Sequence, residues 1–132
     1  MICRNCVLIV SVLLLFAAGS NARACEVPNG GAEFDAQVQL SVLDKQANIY
    51  GLKVPLEMNK TPFYKAAMTY WPKPKKPGQY QLSQEIHLNE LDGVLVGQFI
   101  APDGNLFDEI EVVVVYNSAM GGCGTYAYAQ VD

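Results

Sequence analysis

From Phe34 to Val131 the chain keeps returning to one pattern, with apolar residues at every second position. Phe34, Ala36, Val38, Leu40 and Val42 alternate with Asp35, Gln37, Gln39 and Ser41. Tyr50, Leu52, Val54, Leu56 and Met58 alternate with Gly51, Lys53, Pro55 and Glu57. Such a period places one set of side chains in a core and the other in water, which a strand can do and a helix cannot. Pro55 donates no ladder hydrogen bond, so its strand is expected at a sheet edge or bending there. A third segment, Tyr64 to Trp71, sets Tyr64, Ala66, Met68 and Tyr70 on one side, although Lys65 to Met68 also suits a short helix.

Turn residues divide the rest. Three prolines and a glycine between Pro72 and Gly78 impose an extended connection closed by a turn. Tyr80, Leu82, Ile86 and Leu88 alternate again, Asp92-Gly93 marks a turn, and Val94 to Ile100 follows as a strand. Ala101-Pro102-Asp103-Gly104 is a second tight turn. Leu106 to Tyr116 contains four consecutive valines, apolar on both faces, as a central strand requires. Thr125 to Val131 closes the series with Tyr126 and Tyr128 on one face. About seven strands without a long amphipathic helix predict an all-β fold, an antiparallel β-sandwich of immunoglobulin-like architecture. The Cys…Trp…Cys arrangement of antibody domains is missing.

The first 24 residues read differently. Arg4 precedes an apolar run from Val7 to Ala18, and Ala22-Arg23-Ala24 has the small-x-small form of a signal-peptide cleavage site. The run is shorter than the roughly 20 residues that span a bilayer, so the mature chain is expected to have no transmembrane segment. The expected organisation is a secretory signal peptide over 1–24 and one sandwich domain over 25–132, secreted or periplasmic after cleavage near Ala24. Tethering through a lipid on Cys25 is the minor alternative, because Arg23 fits a lipoprotein signal poorly. Cleavage removes Cys3 and Cys6 and leaves Cys25 and Cys123, which an oxidising compartment would pair. That disulfide would close a loop of about 100 residues, for which chain entropy assigns about 4.7 kcal/mol.

Charge narrows the partners. Arg4 and Arg23 lie before the cut, so the mature chain sets seven lysines against all thirteen acidic residues. That balance argues against nucleic acid and against anionic membrane surfaces. The only basic concentration is Tyr70-Trp71-Pro72-Lys73-Pro74-Lys75-Lys76-Pro77, where the single tryptophan precedes three lysines on a stiff loop. Tyr70, Trp71, Lys73, Lys75 and Lys76 are therefore the candidate binding residues, because rigid aromatic and cationic groups lose little entropy on contact.

Other constellations are sparse. His87 stands on the polar side of its strand, four residues from Ser83, too far along an extended chain for a nucleophile and its base. Met58, Met68, Met120 and His87 are the donors a copper site would need, without the close pairing such sites show. Asp103, Asn105, Asp108, Glu109 and Glu111 offer oxygens for calcium but lack the EF-hand pattern. Glu109 and Glu111 share a strand face in this reading, whereas a glycosidase pair flanks its substrate from two elements. The expectation is an exported, non-enzymatic binding module of the cell envelope with a protein or glycan partner and no cofactor. The alternative is a periplasmic protein binding copper, calcium or a small ligand through Tyr70, Trp71, Tyr80 or the methionines.

Overall fold

The computed structural model describes residues 30–117 and 124–132. The signal segment, Cys25, Met120 and Cys123, and with them the expected disulfide, lie outside the described residues. One helical turn, α1 (Ala32–Asp35), precedes nine strands: β1 (Gln39–Asp44), β2 (Ile49–Pro55), β3 (Glu57–Met58), β4 (Thr61–Pro72), β5 (Leu82–Ile86), β6 (Asn89–Leu91), β7 (Val94–Ile100), β8 (Phe107–Tyr116) and β9 (Thr125–Gln130).

All pairings are antiparallel, and the strands form two packed sheets. One sheet runs β1-β2-β7-β6; the other runs β3-β4-β8-β9, with β5 also on β4. The orders β1-β2-β7-β6 and β4-β8-β9 reproduce the four-plus-three strand order of the immunoglobulin constant-type sandwich. The two additional strands, β3 and β5, share the edge of β4 that β8 leaves free. Nine strands replace the expected seven because two apolar runs are each cut where the chain changes sheet. Tyr50 to Met58 breaks at Leu56, after Pro55, and Tyr80 to Asn89 breaks at His87-Leu88.

The core lies between the sheets. Leu52, Val54 and Phe99 enter it from one side, and Ala66, Met68, Val112, Val114 and Ala127 from the other. Four alternating strands thus bury one face each, the main source of stability in such a layer. β8 lies between β4 and β9, as its run of valines requires. Tyr116 is fully buried at the end of β8, and its hydroxyl donates to the Pro55 carbonyl at 2.7 Å, tying the two sheets together. Burial of that ring pushes the phenol pKa far upward.

Three local expectations change. Phe34 to Ala36 do not belong to the first strand; they form α1 and its C-cap, and β1 starts at Gln39. Phe34 and Val38 are four residues apart, a spacing that suits one face of a helical turn as well as one face of a strand, and both side chains reach the core. Pro55 does not mark an edge strand. β2 has β1 on one side and β7 on the other, and the last β1 pair, Gln39 with Lys53, ends before Pro55, so the missing donor breaks no β1–β2 bond. The bend expected there does occur, as the chain leaves one sheet for the other. Finally, Tyr64 does not share the inner face with Ala66. A register shift between Phe63 and Lys65 puts Phe63 against Tyr116, ring centroids 5.9 Å apart, and turns Tyr64 outward, 62% exposed.

Candidate functional site

The end of β4 is built on an irregularity in β8. Thr69 pairs with Glu111, but Trp71 pairs with Asp108, so two β8 residues stand opposite Tyr70 alone. The extra residue is a β-bulge, and within it Glu109 adopts a φ of 51°, a left-handed conformation that side chains other than glycine seldom take. The bulge has a consequence for the reading of Glu109 and Glu111 as neighbours on one face: Asp108, not Glu109, lies across from Trp71.

The re-aimed acids meet the lysine loop. Glu109 Oε2 accepts a hydrogen bond from Lys75 Nζ at 2.9 Å, and Asp108 Oδ1 is 3.3 Å from Lys73 Nζ. Lys73 Nζ also donates to the Gly104 carbonyl at 2.7 Å, and its backbone N–H donates to the Leu106 carbonyl at 2.9 Å. Lys75 Nζ lies 4.7 Å above the centre of the Trp71 ring, a cation–π contact. The stretch expected to be a free basic patch is therefore half neutralised and held down. Lys76 is exposed and forms no ion pair among the described residues; its backbone N–H donates to Gln79 Oε1. Individually these surface pairs contribute at most about 1 kcal/mol. Their effect is to fix the geometry of Trp71.

Of the five expected binding residues, four meet at this place. Trp71 is half-buried and Lys73, Lys75 and Lys76 are exposed. Tyr70 is the exception, since it turns inward, packs on the core and meets Phe107 edge-on at 5.0 Å. Beside the loop a polar cleft of about 260 Å³ opens, walled by Lys73, Asp108 and Glu109 and, opposite them, Asn48, Tyr50 and Asp132. Tyr50 stacks on Phe99 and donates its hydroxyl to the Asp132 carbonyl at 2.6 Å.

The remaining candidates are dispersed. Met58 and Met68 are core residues. His87 is exposed in the crossover between β5 and β6. The acids considered for calcium are engaged separately: Asp103 accepts the Asn105 N–H at 2.8 Å, Asp108 and Glu109 hold lysines, and Glu111 accepts from the Gln130 amide. Among the described residues no group of three or more His, Cys, Asp or Glu side chains is arranged to hold a metal ion.

Sequence reasoning missed Glu109 as the organiser of the site. Nothing in Phe107-Asp108-Glu109-Ile110 signals a bulge, because the local alternation is compatible with a regular strand. No protein-family model, curated protein or solved structure matches the chain.

Proposed function

We propose that this chain is an exported, non-enzymatic binding module whose contact surface is the Trp71–Lys75–Glu109 platform at the end of β4. The observation that carries the reading is Glu109, held in a left-handed bulge and paired with the lysine that covers the tryptophan. Backbone strain of this kind costs of order 1–3 kcal/mol and tends to collect where geometry serves binding. An anchored aromatic ringed by salt-bridged cations and acids resembles a protein–protein contact, where a rigid tryptophan supplies a large share of the energy. A stacking site for sugars would need an open ring face, and Lys75 lies over one face of Trp71. A protein partner is therefore favoured over a glycan.

Trp71 is the only tryptophan, so its fluorescence reports on this surface alone. The test is capture of proteins from envelope extract by the mature chain, by Trp71→Ala and by the triple Lys73, Lys75, Lys76→Ala variant. The expected result is that a captured protein shifts Trp71 emission, and that both variants lose at least about tenfold in capture while keeping the wild-type circular dichroism. Capture that neither substitution changes would overturn the proposal.

A further inference from the structure

The sandwich has several edges, and their protection is unequal. The free edge of β9 is covered by α1, where Asp35 Oδ1 accepts the Tyr128 backbone N–H at 2.8 Å. β6 is three residues long. β5 carries Glu85 and is otherwise polar through Ser83 and Gln84. β1 differs from all of these. Gln39-Leu40-Ser41-Val42-Leu43 contains no charge and no proline, the two devices that most often stop a strand from pairing further. Val42 is 59% exposed and Leu43 52% exposed on this strand. A mostly apolar groove of about 340 Å³ runs beside it on the outer face, between Leu43 and Val96 over Gly51.

The sequence of β1 also matches itself. In an antiparallel pair centred on Ser41, Leu40 stands opposite Val42 of the second strand, Gln39 opposite Leu43, and Ser41 opposite Ser41. Leu40 and Val42 are paired with Leu52 and Tyr50 of β2, so both lie on the core side of the sheet. The apolar stripe therefore continues across the two-fold axis, and no like charges meet within the five pairs. Such a contact is self-complementary and closes on itself.

We infer that β1 is the interface for a second copy of this chain. Two four-stranded sheets join edge to edge into one eight-stranded sheet, burying Val42 and satisfying the free backbone groups of both β1 strands. This interface is separate from the Trp71 platform and stands independently of the proposed function.

Sedimentation equilibrium of the mature protein tests this, together with two substitutions. The expected result is a reversible dimer. Val42→Lys weakens association at least about tenfold and leaves the melting temperature of dilute, monomeric protein unchanged, since the side chain is already exposed. Ser41→Cys forms a covalent dimer on mild oxidation, and Ser83→Cys on the β5 edge does not. A monomer at every concentration overturns the inference. So does a dimer that Val42→Lys leaves intact, or a Ser41→Cys variant that cross-links no better than Ser83→Cys.

Discussion

The two flanks of the sandwich are closed by different means. On the β5/β6 flank the chain itself crosses from one sheet to the other, and it passes so close to β7 that a Cβ on Gly97 would stand 2.5 Å from the His87 carbonyl oxygen and 2.6 Å from a Leu88 methyl. On the β1/β9 flank the closure is a single helical turn, held to β9 by the Asp35–Tyr128 hydrogen bond and by Phe34 against the core. The first seal is backbone against backbone and cannot yield. The second is a side-chain latch, which protects β9 and leaves β1 open. A fold of this kind can therefore keep its core invariant while one edge remains adjustable.

The largest expected effect breaks the rigid flank. Gly97→Ala inserts a methyl where neither the crossover nor β7 has room, and overpacking of this kind costs about 1–3 kcal/mol. The clash is with backbone, so the upper half of that range is expected, with a fall in melting temperature of roughly 10 °C. Gly51→Ala is the matched control on the other flank. Its Cβ would meet Ser41 Oγ at 2.7 Å, but that is a small side chain on an edge strand that can rotate away. Thermal unfolding of the two variants decides the comparison. Equal losses would mean that the flanks do not differ in rigidity.

The same contrast separates what could be read in the sequence from what could not. Strands with two unlike faces are legible: Leu52 and Val54 against Lys53, the valines of β8, and Ala127 against Tyr126 and Tyr128 all point where alternation places them. The Asp92-Gly93 turn is also legible, because positive φ at both residues (51° and 81°) is what Asp-Gly supplies in a two-residue hairpin. Pairing across long separations is not legible. Asp35 and Tyr128 are far apart in the chain, and nothing local to either residue shows that one latches the other. The Trp71 loop was half legible, since its aromatic and cationic residues are plain in the sequence. Its neutralisation by Asp108 and Glu109 depends on a bulge in another strand.

The latch itself gives the next effect in size. Asp35→Ala leaves the Tyr128 N–H to water and removes one charge-assisted hydrogen bond, for which about 1 kcal/mol is expected at an exposed site. The loss should be local. Amide exchange at Tyr128 should accelerate, while the β8 amides between Val112 and Val114 should change only by the fall in global stability. If exchange rises uniformly over both sheets, α1 is part of the core rather than a latch on it.

The smallest effect concerns the electrostatic side of that latch. Glu111 lies on β8 next to β9, and its carboxyl is held above its ordinary value of 4.5, chiefly by partial burial and further by Asp35 and Glu109, while the hydrogen bond from Gln130 pulls the other way. The folded protein therefore keeps this proton to higher pH than the unfolded chain does. Its contribution is most favourable below about pH 4.5 and declines as the pH rises through the folded value. Glu111→Gln removes the titration and keeps the shape, so stability relative to wild type should improve as the pH is raised from about 4 to 7. Asp35→Asn retains an oxygen for the Tyr128 N–H and deletes the nearby charge, which should move the Glu111 transition back toward its ordinary position without opening β9. Urea titrations across this range, compared among wild type and the two variants, measure both shifts. A difference between Glu111→Gln and wild type that stays constant with pH would separate the latch from the charge on β8, and the Asp35 carboxylate would then serve β9 only as a hydrogen-bond acceptor.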